Sequence, residues 1–168
     1  MRLFFALWPD TDAATQLTGV AARLGLQAPG RLVQPGNYHV TLAFIGEVAS
    51  SRLAHWQQIG QALRAPRCTM VFTSLEHWPE PQVVAAVAQE LPAPLLGLWT
   101  QLYDAADLPR SRLRAHVTLA RKVAQAPVLQ AMSAIAWRAT SVSLVRSETG
   151  SVESAYTVLD TWPLLYEP

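Results

Sequence analysis

The chain has 168 residues, 51% of them hydrophobic and 15% charged, with a formal net charge of +1. That is enough for one substantial domain or two closely packed halves, and too near neutrality for a broad nucleic-acid-binding surface. No apolar run approaches the roughly 20 residues of a membrane span, and Cys68, the only cysteine, excludes an internal disulfide and a cysteine-based zinc site.

The opening RLFFALW (2–8) is rich in β-formers and reads as a buried first strand. Pro9 and Asp10 cut its apolar stretch short and no small-residue cleavage site follows, so it is not read as a signal peptide; the expected location is the cytoplasm. Asp10 or Thr11 then caps a helix with Ala14, Leu17, Val20, Ala21 and Leu24 on one face and Gly25 as its stop. The turn-rich QAPGRLVQPGN leads into a strand that contains YHVTLAFIG (38–46). A second helix is predicted from about Ser51, with Leu53, Trp56, Ile59 or Gly60, and Leu63 on its buried side. RCTMVFTSLE (67–76) and PQVVAAVAQE (81–90) read as two strands joined by the turn HWPEP.

The second half follows the same grammar. Leu95, Leu98, Trp99, Leu102, Tyr103 and Ala106 lie at helical spacing, and the loop DLPRSRL leads into a strand containing LRAHVTLARK. A short helix is predicted over about 124–134, and WRATSVSLVRSE and SAYTVLDTWPL each read as one strand. Nothing resembles a linker, so the expectation is a single domain over 1–168, built of two similar halves that meet at roughly 85–92.

The pentapeptide HVTLA occurs at 39–43 and again at 116–120. Alternate side chains of a strand share a face. His39 and Thr41 therefore point one way and Val40 and Leu42 the other, as do His116 and Thr118 against Val117 and Leu119. Each strand buries two aliphatic side chains and offers an imidazole and a hydroxyl together. If RSRLRAHVT is extended, Arg112 and Arg114 join His116 and Thr118 on one face, which favours an anion such as phosphate. Arg110, Arg121 and Lys122 add to this local positive charge.

Two imidazoles facing one pocket can serve as general acid and general base, each contributing about 10²- to 10⁴-fold in rate. The threonine hydroxyls would donate hydrogen bonds to the non-bridging oxygens of a phosphoryl group. Other chemistries lack their residues. No Asp, Glu, Cys or further His sits at ligand spacing beside either motif, and there is no G-x-S-x-G, Walker-type or GxGxxG segment. His55, beside a helix stripe, and His77, in a turn, read as solvated surface residues. The chemistry fits a phosphodiester whose leaving group needs a proton, such as a 2′,3′-cyclic phosphate opened by water.

The two motifs, in NYHVTLAFIGEV and RAHVTLAR, resemble those of the 2H phosphoesterase superfamily, and within it the RNA 2′,3′-cyclic phosphodiesterases, also called 2′-5′ RNA ligases. The likeness extends to RLFFAL, VVAAV and LVRSETGSVESAYTVL. It implies an α+β, bilobal fold of two pseudo-symmetric lobes, with antiparallel sheets flanking a central cleft and helices outside. It implies His39 and His116 as catalytic histidines, His39 as proton donor and His116 as proton acceptor, and Thr41 and Thr118 as phosphate-binding hydroxyls. It further implies Phe44 as a base-stacking aromatic and Arg121 as a contact to the nucleotide or its phosphate. Strict alternation places Phe44 and Arg121 on the face opposite the histidines, so the likeness requires each strand to end or twist before them. LRAHVT lacks the proline that often precedes the second histidine in this family, a departure that bears on loop shape. The implied substrates are RNA or oligonucleotide ends carrying a 2′,3′-cyclic phosphate, and mononucleotides, with no cofactor, metal or membrane and with a monomeric protein. Rival readings are a reversible 2′-5′ RNA ligase, a 2′-5′ oligonucleotide phosphodiesterase, and a non-catalytic RNA-end-binding module.

Overall fold

The computed structural model describes residues 1–27, 29–109, 112–149 and 154–165; Arg110 lies outside them. In chain order the elements are β1 (Arg2–Leu7), α1 (Thr11–Ala21), β2 (Arg31–Leu32), β3 (Val40–Glu47), α2 (Leu53–Ala62), β4 (Cys68–Phe72) and β5 (Ser74–Trp78). They continue with β6 (Val83–Val87), α3 (Ala93–Ala106), β7 (His116–Arg121), β8 (Ile135–Ala139), β9 (Ser141–Thr149) and β10 (Ser154–Pro163).

The architecture is α+β. Strands β10, β9, β1 and β3 form one four-stranded sheet, β2, β7, β6 and β5 a second, and β4 and β8 a separate ribbon, all with antiparallel pairing. Each four-stranded sheet thus carries one HVTLA strand. The sheets draw on both ends of the chain, since β9 and β10 add to the sheet of β1 and β3, while β2 adds to that of β7.

The helices form where the sequence provides an apolar stripe, and α1 has a side-chain cap as well. Asp10 is the N-cap of α1 and accepts a hydrogen bond from the Ala13 amide at 2.8 Å, satisfying one of the free amides of the first turn. Leu17, Val20 and Ala21 of α1, Trp56 and Ile59 of α2, and Leu95, Leu98 and Leu102 of α3 enter one continuous core. Val40 and Leu42 from β3 and Val117 and Leu119 from β7 meet them there, none more than 2% exposed. Burying such a side chain is worth roughly 1.5–3 kcal/mol. The inner faces of both motif strands are thereby held fixed, and their histidines and threonines are directed away from the core. Among the described residues no helix is long and apolar enough to cross a membrane.

Gly60 of α2 is required by packing. A Cβ there would clash with the ring of Trp162 on β10. Gly60→Ala is expected to lower stability by about 1–3 kcal/mol, as overpacking does, read as a lower denaturant midpoint.

The strand pattern departs from the sequence expectation in three places. RCTMVFTSLE is two strands, because the chain leaves one sheet at Thr73: β4 pairs with β8, while β5 pairs with β6. His77 and Trp78 belong to β5 and not to a turn. WRATSVSLVRSE likewise divides at Thr140 into β8 and β9, which lie in different sheets. Period-2 alternation continues through such a switch, so the pattern alone does not reveal it. Residues 122–134 form no helix; the stretch runs irregularly from β7 to β8, with His77 Nε2–H donating to the Val123 carbonyl at 2.7 Å.

Candidate active site

The two pentapeptides share an irregularity that resolves the conflict over Phe44 and Arg121. Along β1 and β3, Phe5 pairs with Ala43 and Ala6 with Thr41, so Leu42 is an extra residue. Along β6 and β7, Val84 pairs with Ala120 and Ala85 with Thr118, so Leu119 is extra. Both copies therefore carry a bulge at the same letter, and a bulge restarts alternation one residue out of phase. Leu42 and Ala43 are consecutively buried, as are Leu119 and Ala120. Phe44 and Arg121 consequently return to the face of the histidines. In both copies the threonine sits opposite an alanine, Ala6 or Ala85.

The histidines are anchored alike. Nδ1 of His39 lies 2.7 Å from the Asn37 carbonyl, and Nδ1 of His116 lies 2.7 Å from the Arg114 carbonyl. A carbonyl only accepts, so each Nδ1 carries the hydrogen, and in the neutral ring Nε2 is the atom left to exchange a proton. His39 is ringed by aromatics, with ring centroids of Phe4 at 5.2 Å, Trp8 at 5.2 Å and Tyr156 at 5.1 Å. Trp78 lies edge-on to His116 at 4.6 Å.

These surroundings favour neutral imidazoles. Burial is the largest cause lowering the His39 pKa to about 4, and the positive charges of Arg121 and His116 add to it; the Asn37 carbonyl acts the other way. Burial likewise lowers the His116 pKa, assisted by Arg114 and Arg121, while the Arg114 carbonyl and Glu76 oppose it.

A cavity of about 290 Å³ is lined by Arg2, Phe4, His39, Thr41, Phe44, Arg121, Ser147 and Tyr156. Among these residues are two guanidinium groups and no carboxylate, so the cavity suits an anion. Arg121 comes from the second sheet and the other lining residues from the first, except His39, which directly precedes β3; the Arg121 charge acts on both histidines. Phe44 is 50% exposed and has the Arg2 guanidinium over its ring at 4.8 Å.

The structure thus brings His39, Thr41, Phe44 and Arg121 around one cavity, with His116 close enough to act on His39 electrostatically and Thr118 on the face of His116. Arg114 is placed differently from the sequence expectation. Residues 112–115 are not part of β7, and the Arg114 guanidinium is taken up by Glu76 at 2.6 Å while lying over the Trp78 ring at 4.6 Å. It acts on the site through its carbonyl, which holds His116, through its charge, which lowers the His116 pKa, and through Trp78. Glu76 also accepts from Trp78 Nε1 at 2.7 Å, so this group clamps the ring that packs on His116.

Sequence reasoning missed Arg2, Phe4, Trp8, Glu76, Trp78 and Tyr156. Period-2 spacing along RLFFALW puts residues 2, 4 and 8 on one side, which was a usable signal. Tyr156 and Trp78 reach the site only through sheet pairing.

Two imidazoles held through Nδ1 beside guanidinium charges suit an anionic ester. Residues 7–88 match the family model of the LigT-like phosphoesterases, a span that includes the first His-x-Thr. The likeness to the 2H phosphoesterase superfamily is thus met by a family-model match over part of the chain and by curated relatives over nearly its full length. It is 25% identical, over 97% of its length and 96% of the relative's, to an RNA 2′,3′-cyclic phosphodiesterase of Escherichia coli strain K12. It is 27% identical, over 98% of its length and 90% of the relative's, to the enzyme of that name from Thermus thermophilus. The crystal structure of E. coli LigT complexed with 3′-AMP superposes with a TM-score of 0.86 at 27% identity, covering 97% of both chains.

Proposed function

We propose that the protein hydrolyses the 2′,3′-cyclic phosphate of RNA or nucleotide ends to a 2′-phosphomonoester without a metal ion. The observation that carries this reading is the matched pair of histidines, each fixed through Nδ1–H to a carbonyl two residues before it, beside a carboxylate-free cavity lined by Arg2 and Arg121. The names of the relatives support the same substrate class.

His116 Nε2 takes a proton from water, whose oxygen forms the new bond to phosphorus. The P–O3′ bond breaks, and His39 Nε2–H gives its proton to O3′. Thr41 and Thr118 donate to the non-bridging oxygens as charge gathers there, and Arg121 pairs with the phosphate. Phe44, with Arg2 on its other face, stacks the nucleobase. His39 must be protonated to act as the acid, and the negative charge of the bound phosphate raises both histidine pKa values from their depressed free-protein levels. Among the described residues no three His, Cys, Asp or Glu side chains gather into a metal-binding group.

The test is incubation with 2′,3′-cyclic AMP in excess EDTA, with chromatographic identification of the product. The expected product is 2′-AMP, at a rate EDTA leaves unchanged. A 3′-phosphate product, loss of rate in EDTA, or no turnover overturns the reading. The pH dependence is a further expected outcome. An acid loses its proton as pH rises through its pKa, and a base becomes available over the same range, so kcat/KM is bell-shaped. Because burial lowers both free-protein values, both limbs are expected below the ordinary histidine value of about 6.5, whereas the limbs of kcat, set by the phosphate-bound complex, shift to higher pH.

A further inference from the structure

Where β2 pairs with β7, Arg31 stands directly opposite Arg121. Like charges so placed on neighbouring strands destabilise the pair. Among the described residues nothing neutralises them: Arg31 has no ion pair or hydrogen bond, and Arg121 has only a long contact to the Tyr156 hydroxyl at 3.5 Å. A second cavity opens there, with Arg31, Gln34, Asn37, Arg121 and Tyr156 among its lining. It shares Arg121 and Tyr156 with the cavity that holds His39 and Thr41. The two cavities are therefore adjoining parts of one surface, separated by a guanidinium and a phenol.

We infer that this second cavity is a phosphate subsite, which takes the 5′-phosphate of the nucleoside whose 2′,3′-cyclic phosphate lies at the histidines. This rests on the function proposed above. A nucleoside cyclic phosphate has three directions of exit: the cyclic phosphate, the base and the 5′ carbon. With the phosphate at the histidines and the base on Phe44, the 5′ end is left to the Tyr156 side, where Arg31 waits with no counter-ion among the described residues. A phosphate bridging Arg31 and Arg121 would meet two planar donor forks and remove the cross-strand repulsion. Both a terminal 5′-monophosphate and an internucleotide phosphodiester supply this chemistry. The protein would then act on oligonucleotide ends in preference to unphosphorylated nucleosides.

The experiment compares kcat/KM of wild type and Arg31→Ala on three substrates: adenosine 2′,3′-cyclic phosphate, its 5′-phosphorylated form, and the dinucleotide CpA ending in a 2′,3′-cyclic phosphate. Wild type is expected to favour the two 5′-phosphorylated substrates by about 10-fold or more. In Arg31→Ala both ratios are expected to fall to about one, and Arg31→Lys to keep part of each. A preference for the dinucleotide alone assigns the subsite to a diester, and a preference for both assigns it to any 5′-phosphate. Equal rates on all three in wild type, ratios that survive in Arg31→Ala, or a uniform loss on all three in that variant overturn the subsite and leave the proposed activity standing. Absence of turnover by wild type on every substrate overturns the proposed activity, and the subsite with it.

Discussion

Replacing His39 or His116 by alanine is expected to lower kcat/KM for 2′,3′-cyclic AMP by about 10³-fold, within the range of a lost general acid or base, with an unchanged circular dichroism spectrum. Neither imidazole lies in the shared core, which is made by Val40, Leu42, Val117 and Leu119 on the other side of the same strands. The two losses are alike on this substrate, so the roles are separated by the leaving group. O3′ leaves as an alkoxide and needs a proton, whereas 4-nitrophenolate does not. On a 4-nitrophenyl phosphodiester, His39→Ala is therefore expected to recover most of wild-type activity, because only the acid has been removed. His116→Ala is expected to remain impaired, because the water still lacks its base. Recovery by His116→Ala in place of His39→Ala would reverse the assignment. Full activity of either variant on the cyclic nucleotide would sink the mechanism.

Arg121→Ala is expected to cost about 10²-fold in kcat/KM, the scale of one lost donor to a developing oxyanion, and to carry a second signature. Arg121 lowers the pKa of both His39 and His116 by placing positive charge near imidazoles that would become positive. Removing it must raise both values. Titration of the imidazole resonances by NMR should show each histidine moving upward, with burial still holding it below the ordinary range. A loss of rate with unmoved titrations would confine Arg121 to the phosphate. Unchanged rate and titrations would remove it from the site altogether. Because the same guanidinium lines both cavities, this variant is also expected to reduce any 5′-phosphate preference, unlike Arg31→Ala, which should act on that preference selectively.

Much of this protein is legible in local pattern. Alternation at HVTLA determined that an imidazole and a hydroxyl share a face and that two aliphatic side chains hold the other. The apolar stripes marked α1, α2 and α3 within a few residues, and a cap marked the start of α1, because each depends on neighbours within one or two turns. The repeated pentapeptide pointed to paired chemistry without any knowledge of how the two strands meet.

What the tertiary structure decided is what depends on a partner strand. A bulge exists only as a mismatch between two strands, so Leu42 and Leu119 look like ordinary alternating residues until β1 and β6 are laid beside them. That mismatch carries Phe44 and Arg121 into the cleft. The capture of Arg114 by Glu76, the ring of Phe4, Trp8 and Tyr156 around His39, and the facing of Arg31 on Arg121 each join residues far apart in the chain. So do the histidine pKa values, since desolvation comes from what packs over a side chain rather than from what lies next to it in sequence. The sequence by itself determined which groups are present and which face of a strand they share. Only the fold decided the company each group keeps, and with it the charge each carries.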